Sequence, residues 1–354
     1  MFNQIKYTRM MIMTASIILF ATIFAATGQI HKGFKQKADP SFDGATGWLN
    51  TKALNLQSLQ GKVVLIDFWT YTCVNWRRTL PYVREWASKY KDQGLIVIGV
   101  HTPEFSFEHR LDNVRIAIKE MNIGYPVVLD NNFEIWRSFQ NEYWPALYLI
   151  DAKGQVRYQK FGEGDYRESE LQIQQLLKEV SAKNVPNTPV ELQPNGFEAA
   201  ADWENLQAPE NYVGYGQTRG FASPGGVVAD KRVLYAVPER LNLNQWGLAG
   251  EWSIRKESIS LNGPQGKLIY RFHARDINLI MGPSVRGTSI RFRLLIDGNP
   301  PGTAHGVDID SNGNGVVTEQ RMYQLIRQQG PIVDREFQIE FLDPKVEVFD
   351  FTFG

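Results

Sequence analysis

From Gly61 to about Ser181 the chain alternates short apolar runs with longer helical patterns, which few folds can satisfy. The runs Lys62-Val63-Val64-Leu65-Ile66-Asp67-Phe68-Trp69 and Leu95-Ile96-Val97-Ile98-Gly99-Val100 are apolar without a polar face, as strands covered on both sides must be. A short strand is expected at Pro126-Val127-Val128-Leu129, and a hairpin from Leu147-Tyr148-Leu149-Ile150 through the turn Ala152-Lys153-Gly154-Gln155 to Val156–Lys160. Helical patterns run from Cys73 to about Lys91, near Asn113–Met121, around Phe133–Phe139 and from Glu168 to Ser181. Strands alternating with helices predict an α/β domain over residues 55–182, with a mixed sheet between helices. Pro81 falls inside the first helix, where a proline should bend it.

Residues 183–195 hold Pro186, Pro189 and Pro194 and read as a linker. Beyond residue 196 the pattern changes to short period-2 runs between Gly, Pro, Asn and Asp, as in Lys267–His273, Ser289–Ile296, Glu336–Leu342 and Val346–Phe353. This predicts an all-β domain over 196–354, a sandwich or jelly roll.

At the N-terminus, Lys6 and Arg9 precede an uncharged, mostly apolar run from Met10 to about Ala26. Residues 1–28 therefore read as an export signal, either a cleaved signal peptide or a retained membrane anchor, and place the rest of the chain outside the cytoplasm, in a periplasm-like compartment. Residues 29–54 read as a tether, with a short entry strand around Trp48 and Leu49. The 38 basic residues equal the 38 acidic ones, so no net field draws the chain to nucleic acid. Only one cysteine is present where disulfides persist, so no internal disulfide can hold the fold. That cysteine, Cys73, stands at the start of a helix after a buried strand, where a thiolate gains from the helix dipole and free backbone N–H groups. An inert buried thiol is the other reading of a single cysteine.

The run Asp67-Phe68-Trp69-Thr70-Tyr71-Thr72-Cys73 resembles the thioredoxin approach to its active site. The resemblance extends through Val100-His101-Thr102-Pro103-Glu104, Tyr143-Trp144-Pro145-Ala146 and Phe161-Gly162-Glu163-Gly164-Asp165-Tyr166 to the redoxin-type domain of DipZ-type cytochrome c biogenesis proteins. The second half is similar to that family's β domain, in Phe221-Ala222-Ser223-Pro224-Gly225-Gly226, Tyr270–Asp276 and Tyr323–Gln328. No apolar stretch after the first could form the family's multi-span membrane domain.

The resemblance implies a thioredoxin-like fold, a protein disulfide or small thiol as partner, and no required cofactor. It makes Cys73 the attacking thiol, Pro145 the cis-proline facing it, and Trp69, Tyr71 and Trp144 the substrate-side residues. Where the family has its second cysteine, Cys73-Val74-Asn75-Trp76 has Trp76, which cannot resolve a mixed disulfide. Asp67 matches the carboxylate that moves a proton for that second cysteine, and is either a working base or an inherited strand-end aspartate. Thr70-x-x-Cys73 also resembles part of the peroxiredoxin motif, with Ile66 where that motif has proline.

In the second half, residues 308–319 fit the calcium-loop template, with Asp308, Asp310, Asn312, Asn314 and Glu319 as oxygen ligands. Pro300, Pro301 and Gly302 exclude an entering helix, so a Gly/Asn hairpin loop is the alternative. The family's β domain is similar to carbohydrate-binding modules, which makes Trp203, Tyr212, Tyr215, Trp246 and Trp252 either a glycan-stacking surface or core. Two functions stay open: a monothiol redox protein acting on disulfides or peroxide with an external resolving thiol, and a redox-inactive module binding through the thioredoxin groove and the β domain.

Overall fold

The computed structural model describes residues 40–180 and 184–354. The expected signal or anchor at 1–28, the tether as far as residue 39, and residues 181–183 lie outside the described residues. Among the described residues no helix is long and apolar enough to cross a membrane.

The first part is a six-stranded mixed sheet with helices on both faces. Its elements are β1 (Gly47–Leu49), β2 (Val63–Trp69), α1 (Val74–Lys89), β3 (Leu95–His101), α2 (Leu111–Glu120), β4 (Val127–Leu129), α3 (Glu134–Ser138), β5 (Ala146–Ile150), β6 (Val156–Phe161) and α4 (Tyr166–Glu179). The strand order is β1-β4-β3-β2-β5-β6, with β2, β3 and β4 parallel and β5 and β6 antiparallel, a thioredoxin-like arrangement. β2 is central and wholly buried. Its alternate side chains enter opposite cores: Val63, Leu65 and Trp69 on one face, Val64, Ile66 and Phe68 on the other. α1 lays Trp76, Leu80, Val83 and Trp86 on the first face, at the spacing that keeps one helix stripe inward. It runs through Pro81 to Lys89.

The tether's end belongs to the fold. β1 pairs with β4, and Phe42 is buried edge-on against Trp48 at 5.3 Å, so the sheet begins well before residue 55. Buried apolar area draws these residues in, although their local composition reads as irregular.

The second part is all-β: β7 (Asn211–Tyr212), β8 (Arg232–Tyr235), β9 (Trp246–Ile254), β10 (Ile259–Phe272), β11 (Asp276–Pro283), β12 (Ile290–Ile296), β13 (Asn314–Val317), β14 (Arg321–Arg327), β15 (Arg335–Phe341) and β16 (Val346–Phe353). These strands form one continuous ten-stranded sheet that curls around its own core, the all-β domain that the period-2 runs predict. The long β10 makes the curl: its first residues pair with β16, and after a register shift between Leu261 and Gly266 the rest pairs with β15.

The two parts share a core. Ile280, Met322 and Phe349 of the β part belong to the same apolar cluster as Trp69, Trp76 and Phe107. Arg78 of α1 crosses the junction buried, bonding Glu163 Oε1 and the carbonyl of Phe353, each at 2.9 Å. Arg84 joins Glu198 at 2.8 Å and the Met121 carbonyl at 2.7 Å. Arg84→Ala is expected to cost about 1 kcal/mol or less, because the Glu198 pair is partly solvated. Denaturant unfolding against wild type checks this.

Candidate thiol site at the head of the first helix

The β2 strand ends at Trp69, and Thr70-Tyr71-Thr72 carry the chain to Cys73, the N-cap of α1. Cys73 is the free cysteine and is half-buried. Backbone N–H groups of Trp76 and Asn75 point to its sulfur, the arrangement that stabilises a thiolate. Burial nevertheless pushes the thiol up, and the carboxylates of Glu104 and Glu210 push it further. Burial and these charges thus oppose the helix terminus at the sulfur, and the thiol's affinity for its proton is raised.

One turn along, Trp76 occupies the resolving position and is 0% exposed. Its ring stacks on Trp69 at 4.4 Å and 23°, and its indole N–H donates to Asp67 Oδ2 at 3.0 Å. The Tyr125 hydroxyl donates to the same oxygen at 3.4 Å, while Oδ1 has no partner among the described residues. Burial lifts the Asp67 carboxyl to about 7, with the bonds from Trp76 and Tyr125 opposing. Gly99 lies opposite Asp67 on β3, and a Cβ there would stand 2.8 Å from Trp69 Nε1 and 3.1 Å from the Tyr125 ring. Only glycine leaves room for the rings that enclose this carboxylate. Asp67 thus serves Trp76, not a second sulfur.

Glu108, which no sequence pattern singles out, anchors the loop. Its Oε1 accepts from Thr72 Oγ1 at 2.6 Å, and its Oε2 from the amides of Glu104 and Phe105 at 2.6 and 3.0 Å. His101 is buried with neither ring nitrogen bonded among the described residues, and burial pushes it down to about 3, so it stays neutral and offers the thiol no cation. From the β part, Tyr212 donates its hydroxyl to Glu104. The curled sheet therefore borders the thiol site.

Residues 35–159 match the AhpC/TSA family, and residues 208–354 match the thioredoxin like C-terminal domain. Thiol-disulfide oxidoreductase YkuV of Bacillus subtilis is 31% identical over 140 residues, covering 40% of this chain and 94% of that protein. The chain belongs to the thioredoxin-like thiol-disulfide oxidoreductases. Protein DipZ of Mycobacterium tuberculosis is 39% identical over 279 residues, which is 76% of this chain. The chain spans only 39% of the length of that relative. Among solved structures, that of a thioredoxin-like protein in the oxidized form is 31% identical, covers 38% of this chain and 91% of its own, and has a TM-score of 0.36.

Within this thioredoxin-like framework the remaining expected site residues fall unequally. The Trp144–Pro145 bond is cis, and the Pro145 carbonyl accepts from the Gly162 amide at 2.8 Å. Trp144 is half-buried against Trp136 at 4.4 Å. Trp69 is not on a substrate-facing surface: it is wholly buried between Trp76 and His101, since its position on β2 points into the core. Tyr71 is buried too, its hydroxyl near Asn113 beside a cavity of about 220 Å³ that Arg77 and Arg321 also line.

The aromatic residues expected as a glycan-stacking surface do not share one. Trp246 and Trp252 are fully buried core residues, Tyr212 serves the junction, and only Trp203 and Tyr215 are exposed. Period-2 alternation turns the two tryptophans inward. The 308–319 loop is a hairpin connection leading into β13. Asp308 is held by Arg321 at 2.7 Å and by the Gln324 amide at 2.8 Å, and Asp310 accepts from the amides of Asn312 and Asn314. These bonds engage the carboxylates that a calcium ion would use, and among the described residues no group of three His, Cys, Asp or Glu side chains is placed to hold a metal.

Proposed function

We propose that this protein acts outside the cytoplasm as a single-thiol member of its family, forming a mixed disulfide through Cys73 that a thiol from another molecule resolves. The observation that supports this most is the asymmetry of the motif: Cys73 keeps contact with solvent, while Trp76 is sealed in the core on Asp67. In the reaction the Cys73 thiolate attacks a disulfide, a new Cys73–sulfur bond forms as the old S–S bond breaks, and the electron pair leaves on the departing thiolate. The external thiolate then attacks the mixed disulfide and releases Cys73 with its electron pair. A thiol held protonated forms the adduct slowly at neutral pH and is a poor leaving group once it has formed, so the adduct is long-lived. The AhpC/TSA match favours hydrogen peroxide as a second oxidant, which would leave a sulfenic acid on Cys73 and release water.

The test is intact-mass detection of a mixed disulfide with oxidised glutathione. One adduct per chain is expected, forming faster as pH rises to about 9, released by added thiol and absent in Cys73→Ser. No adduct at that pH would overturn the reading and favour the other: a redox-inactive fold that binds through its groove. That alternative draws on the same raised thiol.

A further inference from the structure

The second part of the chain reaches the thiol site through a built feature of its sheet. β16 carries a bulge: Asp350 pairs with Ile280 and Val348 with Met281, leaving Phe349 as the extra residue. Val348 and Phe351 face the β core, and Phe349 turns out against Phe105 and Phe107, at 5.5 and 4.7 Å. Asp350 faces the same way as Phe349. It is 1% exposed, its carboxylate has no donor from a hydroxyl or cationic side chain among the described residues, and the Glu210 carboxyl is its hydrogen-bond neighbour. Its cross-strand neighbour is Tyr212, which presents its side chain on the same face and donates to Glu104 beyond β3. Glu210, two residues before Tyr212, keeps contact with solvent.

We propose that Glu104, bonded by Tyr212, and the neighbouring carboxyls of Glu210 and Asp350 form a proton-holding cluster for Cys73, so that Glu210 and Asp350 of the β part are positioning residues of the thiol site. This rests on Cys73 being the reacting thiol. Cys73 is faced by Glu104 and Glu210; Glu104 by Glu210, Glu108 and Tyr212; and Asp350 by Glu210 and Glu104. Among the described residues no cation is one of the main groups acting on the three carboxylates, and lost solvation raises all three, most at the buried Asp350 and least at Glu210, whose side chain is exposed. Like charges that push one another up resist ionising together, so the cluster keeps a proton at neutral pH and can exchange it with a thiol that is itself raised. When Cys73 attacks a disulfide, its proton passes to a carboxylate, the Cys73–sulfur bond forms, the substrate S–S bond breaks, and the cluster's proton goes to the leaving thiolate. Asp67, occupied by Trp76, has no part in this transfer.

The experiment follows the rate of Cys73 alkylation by iodoacetamide from about pH 5 to about pH 10 in the full chain. Glu210→Gln is expected to lower the midpoint by roughly one pH unit, because Glu210 acts on the thiol directly, and Asp350→Asn to lower it by a smaller step, because Asp350 lies behind Glu104 and Glu210. Ile280→Ala, which loosens the same junction without a change of charge, is expected to leave the midpoint in place. Unmoved midpoints in both charge variants, or an equal shift in Ile280→Ala, would overturn the cluster. Alkylation needs no turnover, so the outcome is separate from the glutathione test: a shifted midpoint without any mixed disulfide sinks the single-thiol reading and leaves the cluster standing.

Discussion

Trp76→Cys, which restores the Cys-x-x-Cys spacing, is expected to destabilise the protein by about 3–5 kcal/mol, the range for removing a buried tryptophan ring. The ring is fully enclosed and stacks on Trp69 at 4.4 Å, and cysteine fills only a fraction of its volume. The loss is compounded by polarity. Asp67 Oδ1 is already unbonded, and without the indole N–H the other oxygen keeps only the 3.4 Å bond from Tyr125. A buried carboxyl stripped of its donor costs more than the bond itself was worth. Denaturant unfolding at fixed pH measures the change, and a loss under about 1 kcal/mol would mean that the pocket collapses around the smaller side chain. Tryptophan at this position is therefore structural, and the dithiol cannot return by one substitution without disturbing the core that has grown around it.

Asp67→Asn is the second large effect, and it depends on pH. The wild-type carboxyl is raised from 3.8 to about 7 by burial. Below the lower value both folded and unfolded chains hold the proton, and the group makes no difference to stability. Between the two values the unfolded chain releases its proton while the folded chain keeps it, so stability falls as pH rises, and the fall ends once the folded carboxyl ionises near pH 7. Each pH unit of that window is worth about 1.4 kcal/mol, giving up to about 4 kcal/mol in all. Asparagine can accept the Trp76 N–H and has nothing to ionise. The variant should match wild type near pH 4 and exceed its stability by as much as about 4 kcal/mol at pH 8. Unfolding free energies of the two proteins across that range test the sign as well as the size, and parallel curves would show that Asp67 is already ionised in the fold.

Much of the framework was legible in the residues because its signals are local. Continuous apolar runs marked β2 and β3, the Gly-bearing turn marked the β5–β6 hairpin, and period-2 alternation marked β10, β12, β15 and β16. The Asp-Phe-Trp approach located Cys73, and the family resemblance named Pro145, whose peptide bond is cis. Trp69, Trp246 and Trp252 were harder to place, since an aromatic residue looks the same in sequence whether its strand turns it inward or out. Asp308 and Asp310 matched a ligand template because the template reads spacing, and spacing carries no information about Arg321, which closes on Asp308.

By itself the sequence determined that Cys73 stands at a strand-to-helix corner, that it has no resolving sulfur one turn on, and that an all-β half follows. Only the tertiary structure decided what surrounds the thiol. Glu104, Glu210, Tyr212 and Asp350 are up to 246 positions apart in the chain, and they meet because a bulge in β16 turns Phe349 and Asp350 toward the thioredoxin-like part. Burial there reverses the effect of the helix terminus on the sulfur. A local motif can place a thiol, but its affinity for a proton depends on the charges and the dielectric that distant segments bring to it.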